Sequence, residues 1–444
     1  MISSRIKDYS PWLDNLKSLY DEIGQPQPRL PENAEIVIIG GGPTGLSAAY
    51  KLVDSGHSGN KIVILEKNIV GQMPGRSAGI VSIEPDHDCA ELREIYDREK
   101  VKLVMDSYIK SRSYIQEIID KTNMECDFEK RGSLFIGKDK DIEYLKEEAS
   151  LRRMHGFDAE FRNIKLSEYT AAIYMQNDFT LNPRKFCAEL AKYLFSKGVL
   201  VYENTEADAF YGDSNRIRIK TVDKNNKTES ICADKVVLAG QDVPHDFGYE
   251  RLHGSDNILS KILGRGISIE TYALATRQLN ESEIKNIGME SRASFIDIHQ
   301  PFFYGRLTPD NRLLIGGDDL FGFLSKLFSR KKTESLKEKF IHHFPEFSEA
   351  DIDYEWKGNM RIMLDVFPLV YNQKNVYVAG PSAHIQYAVL SGISTANQLI
   401  SNEDNYSELF SDKREINLKV FVTYLIEKIA LFYELCGGTE RFDD

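Results

Sequence analysis

Gly40, Gly42 and Gly45 stand in the spacing G-x-G-x-x-G, and Glu66 follows the last of them by about twenty residues, the arrangement of a dinucleotide-binding turn and its acid. Each residue type answers a chemical need. The first glycine permits a tight turn, the second lets the backbone approach a pyrophosphate with no side chain between, and the third lets the following helix pack on its strand. Glu66 sits where a carboxylate accepts hydrogen bonds from a ribose 2′-OH. An acid there disfavours a 2′-phosphate, so the set points to an adenine dinucleotide, FAD or NAD rather than NADP, and does not choose between those two.

Elements of the right period surround these residues. Glu35 to Ile39 is a β-branched run suited to a buried parallel strand, Leu46 to Ser55 carries an apolar helical face, and Lys61 to Leu65 supplies the second strand of a βαβ unit. The helix starts at the phosphate, so its free N–H groups and positive dipole end face the anion. The proline-rich stretch from Gln25 to Glu32 separates an N-terminal arm from this unit. Val70 to Ser82 is a loop of small residues with one arginine, suited to close approach to a flat, charged ligand. Cys89 to Asn123 is helical in pattern, Arg131 to Gly137 reads as a strand, and Asp141 to His155 is helical again. Asp178 to Phe210 gives a loop, a helix begun near Pro183 and a strand, and Ala233 to Gly240 is a buried strand. From Ser268 to Asp318 the period changes to two, which predicts an antiparallel sheet and a second domain. The chain then returns to the first domain through Asn375 to Gly380, a strand, and Pro381 to Ile400, a helix. Trp356 and Met360 to Met363 are assigned to the core.

Composition excludes several classes. A formal net charge of −12 argues against non-specific nucleic-acid binding, and the run Arg330-Lys331-Lys332 reads as a solvated loop. The five cysteines show no C-x-x-C pair and no metal spacing, which points to no metal and to a reduced cytoplasm. No segment approaches the roughly 18 uninterrupted apolar residues of a membrane span. The nearest, Ile416 to Leu435, is broken by four charges and reads as an amphipathic tail for self-packing, an oligomer or a partner.

The ordered strings GGGPTGLSAAY, LEKN, PGRSAG, TLNPRKF, VVLAG, RLTPDNRLLIGG, W-x-G and VAGPSAH resemble the D-amino-acid-oxidase-like family of FAD-dependent oxidoreductases, over about Pro28 to Ser401. The resemblance implies an α/β fold: a discontinuous, Rossmann-like FAD-binding domain (GR2-type) with an antiparallel-sheet substrate domain of α+β character. The expected division is an arm over 1–33, the FAD domain over 34–87, 176–245 and 350–413, the substrate domain over 88–175 and 246–349, and a tail over 414–444. By the same resemblance Gly40, Gly42, Pro43, Thr44 and Gly45 hold the pyrophosphate, and Glu66 with Lys67 holds the ribose. Arg76, Ser77, Ala78, Gly79 and Ile80 form the loop along the flavin. Ala207 contacts adenine, and Gly240 lies beside the site. Gly380, Ala383, His384, Ile385 and Gln386 lie near the flavin's pyrimidine ring. The family usually reads G-x-S-G-H-G there, whereas Ala383 and Ile385 replace glycines in this chain.

The catalytic candidates implied are Tyr304, Arg306 and His384. An arginine on the strand over the flavin can bind a substrate carboxylate bidentately, or it can pair with an acid such as Asp310 and fasten the sheet; both readings are open. His384 either polarises substrate or is a hydrogen-bonded residue of a helix start, and His299 is a weaker candidate. The implied reaction is oxidation of the C–N bond of a small amine or amino acid, with the imine hydrolysed and the flavin reoxidised by dioxygen or another acceptor. The competing reading is an FAD-binding scaffold or electron-transfer subunit. No histidine or cysteine stands in Pro74 to Gly79, and no cysteine between Trp356 and Pro368, so FAD is expected to be non-covalent.

Overall fold

The structure, a computed structural model, describes residues 6–82, 89–212, 216–240, 267–299, 303–363, 367–380, 382, 384–401 and 405–411. In chain order its strands are β1 (Asn33–Ile39), β2 (Ile62–Leu65), β3 (Ile80–Val81), β4 (Ser133–Gly137), β5 (Ala159–Leu166), β6 (Tyr169–Met175), β7 (Phe179–Thr180), β8 (Leu200–Tyr202) and β9 (Thr205–Gly212). They continue as β10 (Ile217–Asp223), β11 (Thr228–Leu238), β12 (Ile267–Gln278), β13 (Ser294–Asp297), β14 (Phe303–Leu307), β15 (Arg312–Phe321), β16 (Ile352–Ile362), β17 (Val370–Gln373) and β18 (Val376–Ala379).

Two eight-stranded sheets result. The first runs β17-β18-β11-β1-β2-β8, parallel from β18 to β8, with β10 paired antiparallel to β11 and β9 antiparallel to β10. Its central strands are apolar on both faces, as expected where helices cover both sides. Pro43–Asp54 and Pro183–Ser196 pack in one core with Ile36, Ile38, Ile62, Ile64 and Val237. The second runs β16-β12-β15-β14-β13-β4-β6-β5. The helix Gly322–His343 closes one face of it through Leu336 and Phe340, which pack with Leu274, Phe295 and Ile315. The other face turns towards the first domain.

Three sequence expectations are corrected here. Residues 350–413 do not all join the FAD domain, because β16 pairs along β12 at the edge of the second sheet and only β17 onward returns to the first. The period of two in β16 sets strand character but not which sheet the strand joins. The second sheet is also mixed rather than wholly antiparallel, since β13 runs parallel to β4. Arg330-Lys331-Lys332 lies within the helix Gly322–His343 rather than in a loop, as suits residues with good helix propensity.

The arm is likewise no loose leader. Lys7 bridges to the edge strand β16, while the Leu19 N–H donates to buried Glu203 at 2.8 Å and Tyr20 Oη donates to the Val201 carbonyl at 2.6 Å beside β8. The helix Arg98–Thr122 serves both cores, with Val104 and Tyr108 in one and Ile115 and Ile118 in the other.

The helix Ile385–Ser401 crosses Pro43–Asp54 so closely that a Cβ on Gly392 would lie 2.2 Å from the Thr44 carbonyl oxygen. Gly392→Ala is therefore expected to destabilise the protein by about 2 kcal/mol, the cost of overpacking a close contact. The shift in urea midpoint measures it, and an unchanged midpoint would show that the crossing can relax freely.

Candidate cofactor and active site

Parallel strands bind ligands beyond their carboxyl ends, and those ends carry the residues singled out by type and spacing. Gly40 follows β1 with φ +111°, and a Cβ on it would sit 2.8 Å from the Ala239 carbonyl oxygen. A Cβ on Gly45 would sit 2.0 Å from the Gly40 carbonyl oxygen, so only glycine lets the helix approach its strand. Gly42 differs. It caps the helix in an extended conformation, and a Cβ there would meet nothing within 4 Å. Pro43 and buried Thr44 begin the helix, whose first N–H groups border that open space.

Glu66, at the end of β2, accepts from the Gly41 N–H and the Asn68 N–H, both at 2.8 Å. Burial raises its pKa, opposed by those two donors. Gly41 is a site residue the spacing argument missed. A Cβ on it would lie 3.0 Å from the Glu66 side chain, and the unbroken run of three glycines was the available signal. Lys67 lies on the surface with its Nζ 2.7 Å from Glu206. Ala207 is buried in β9, which meets Glu66 through the Thr205 N–H. Gly240 opens beyond β11 with free space at its Cβ position, whereas Gly380, beyond β18, is packed against Leu369.

The loop after Glu66 lies between the two sheets. Gly79 has φ +70°, and a Cβ on it would be 2.0 Å from the Leu181 carbonyl oxygen. Ile80 pairs with Thr180. Arg76 and Ser77 are exposed, while Ala78 sits against a cluster containing Trp12, Leu314 and Trp356. Trp356 is core as expected, but its Nε1 also donates to the Arg76 carbonyl at 2.9 Å.

Arg306 is fully buried, and its Nη1 donates to the carbonyls of Leu181 at 2.8 Å, Gly79 at 3.1 Å and Ala78 at 3.4 Å. It does not pair with Asp310, which is taken by Thr308, Gln278 and Arg312. Dense packing decides this: Arg306 points inward to the loop while Asp310 turns outward at the strand end. Burial lowers the Arg306 pKa to about 10, which leaves the guanidinium charged at neutral pH. Tyr304, half-buried two residues away, lies over Gly316, where a Cβ would be 2.3 Å from its ring.

Beyond β18, Ser382 Oγ donates to the His384 carbonyl at 3.0 Å and accepts from the His384 N–H at 3.3 Å, which shapes the start of the helix Ile385–Ser401. Ile385 packs partly against the first-domain core. Gln386 is buried and its Nε2 donates to the Ser82 carbonyl at 2.9 Å, tying this helix to the end of the loop that follows Glu66. Ala383 and the tail at 414–444, which motivated the scaffold reading, lie outside the described residues. His299 is engaged by Asp297 at 2.9 Å and Asp141 at 3.2 Å, which raise its pKa.

FAD fits these residues. The Gly42 cradle is open at a helix start, and Arg306 Nη2 and Gln386 Oε1 are buried atoms with no partner among the described residues, on elements that both hold the loop. Among the described residues no His, Cys, Asp and Glu group could hold a metal. Gly42→Val is expected to abolish retention of yellow flavin, because the side chain would fill the cradle without disturbing the fold; absorbance at the flavin band together with an unchanged far-ultraviolet spectrum tests this. Loss of both signals would mean that Gly42 serves folding instead.

The chain is 23% identical over 363 residues to gamma-glutamylputrescine oxidoreductase of Escherichia coli, covering 79% of each chain. It is 24% identical over 394 residues to the probable oxidoreductase OrdL of Haemophilus influenzae, covering 85% of each. Among solved structures, glycine oxidase of Geobacillus kaustophilus superposes with a TM-score of 0.67 at 18% identity, covering 87% of this chain and 100% of that one. The family model of FAD dependent oxidoreductases of the DAO type matches residues 35–397, from the glycine turn through both sheets into the helix Ile385–Ser401, and the chain belongs to that family.

Proposed function

We infer that this protein oxidises the carbon–nitrogen bond of a small amine or amino acid, using FAD. The observation that carries the reading is the open Gly42 cradle at a helix start, with Glu66 ordered beside it and a pinned loop facing the second sheet, within a family of FAD-dependent oxidoreductases. When bound, FAD would supply the two-electron acceptor for hydride from the carbon beside a neutral amine, whose N–H proton passes to solvent to leave an imine open to hydrolysis.

The chain's own residues orient and exclude water. The first turn of Pro43–Asp54 faces the pyrophosphate with N–H groups and the positive dipole end, and Glu66 receives the ribose hydroxyls. The start of Ile385–Ser401, with His384, brings a second positive dipole end towards the charge that accumulates on reduction. Tyr304 lines the sheet face above the loop and contacts substrate. Arg306 fastens that loop: a fully buried guanidinium bonded to four carbonyls, two of them in the loop, supports this role over capture of a substrate carboxylate. The lack of any C-x-x-C pair among the five cysteines supports a cytoplasmic setting. No described helix is long and apolar enough to cross a membrane.

Anaerobic addition of primary and secondary amines to the yellow protein should bleach the flavin with at least one of them. A panel that leaves the absorbance unchanged would return the scaffold reading to first place. Arg306→Ala should lower stability by about 3 kcal/mol, the scale of lost bonds to a charged donor, and weaken turnover of carboxylate-bearing and simple amines alike. A rise in KM confined to carboxylate-bearing amines would instead assign Arg306 to substrate. Acid denaturation should release all of the flavin into the supernatant, since the loop Pro74 to Gly79 holds no histidine or cysteine. Flavin retained by the denatured chain on a gel would overturn non-covalent binding.

A further inference from the structure

We propose that the N-terminal arm is a wall of the cofactor site and that Trp12 is a positioning residue for the loop bordering the flavin. The proposal rests on the reading that Arg76 to Ile80 lies along that ring. Five consecutive carbonyls of the loop each accept a hydrogen bond from a side chain outside it. Ser10 Oγ holds Gly75, Trp356 Nε1 holds Arg76 at 2.9 Å, and Trp12 Nε1 holds Ser77 at 3.0 Å. Arg306 Nη1 holds Ala78 and Gly79.

Two of these five ties come from the arm. The arm is itself anchored to the edge strands of both sheets. Lys7 exchanges backbone hydrogen bonds with Asp353 and Glu355 at 2.9 Å, and Leu19 and Tyr20 bond beside β8. Between those anchors Ser10 and Trp12 are buried, and the Trp12 ring lies 5.4 Å from the Arg306 guanidinium.

The loop's own bonds are few. Within it, Arg76 N–H reaches Met73 and Ser77 N–H reaches Pro74, at 3.1 and 3.0 Å. Across a planar trans peptide the carbonyl of one residue and the N–H of the next point in opposite directions. A donor that holds the Ser77 carbonyl therefore also aims the Ala78 N–H, away from the arm. Trp12 sets the orientation of a backbone donor in the loop while its ring shields a buried guanidinium from water, and the loop's small residues supply no side chain to do either.

The experiment compares wild type, Trp12→Phe and Trp356→Phe as holoproteins. FAD release in mild denaturant is followed by the rise in flavin fluorescence, and the flavin environment by visible circular dichroism. Trp12→Phe keeps an aromatic ring but removes the Nε1–H donor together with the pyrrole half of the indole, so its melting temperature is read alongside. The variant should release FAD roughly fivefold faster, the effect of one net hydrogen bond, and alter the visible dichroism. If Trp356→Phe changes both signals and Trp12→Phe changes neither, the arm is mere packing and the proposal falls while the loop reading stands. If neither variant changes either signal, the loop does not border the flavin and both readings fall. A lower melting temperature for Trp12→Phe with wild-type release and dichroism also overturns the proposal. Should Trp12→Phe fail to fold, Ser10→Ala takes its place, with accelerated release expected and wild-type release overturning the arm's role.

Discussion

The structure depends on how closely the helix Pro43–Asp54 approaches its neighbours. A Cβ at Gly45 would collide with the Gly40 carbonyl, and a Cβ at Gly392 would collide with the Thr44 carbonyl, so the helix is pinched between β1 and Ile385–Ser401 at its first turn. That pinch places the helix start, and its unsatisfied N–H groups, at the mouth of the parallel sheet. The helix Ile385–Ser401 follows β18, which runs parallel to β11 and β1, so it too begins at the carboxyl edge of that sheet.

Burial gives the charged groups around this edge their character. Glu66 and Glu203 are carboxylates whose pKa values are raised by desolvation, and each is compensated by two backbone N–H donors rather than by a cation. Arg306 is the converse, a cation compensated by carbonyls. A buried charge needs such partners, because an uncompensated one costs several kcal/mol. In all three cases the partners belong to a turn or loop that the charge thereby orders: the glycine turn and the segment after β2, the arm and Val70, and the flavin loop. Charges here organise backbone, and the backbone forms the site.

Much of this was legible in the chain. Strand period, helix period and glycine spacing are local quantities, so the βαβ unit, the acid after β2, the helix near Pro183 and the strand before Gly240 follow from neighbouring residues alone. The three glycines differ in the structure as their spacing suggests: positive φ at Gly40, open space at Gly42 and close packing at Gly45.

What the sequence by itself determined, then, is which residues can surround a dinucleotide and which segments are strands or helices. What only the tertiary structure decided is which distant segments meet. Sequence offers Arg306 a substrate carboxylate or the nearby Asp310, whereas its bonds run to Leu181 and to Ala78 and Gly79, the last two more than two hundred residues earlier, because a residue at the centre of a sheet faces whatever packs across that sheet and not its chain neighbours. Trp12 and Trp356 carried no local mark of function, since an indole that donates to a carbonyl looks in sequence like any core aromatic. The assignment of β16 to the second sheet is of the same kind. Hydrogen bonding along β12 chose its place, and alternation along a strand records which face is buried but not the neighbour that buries it.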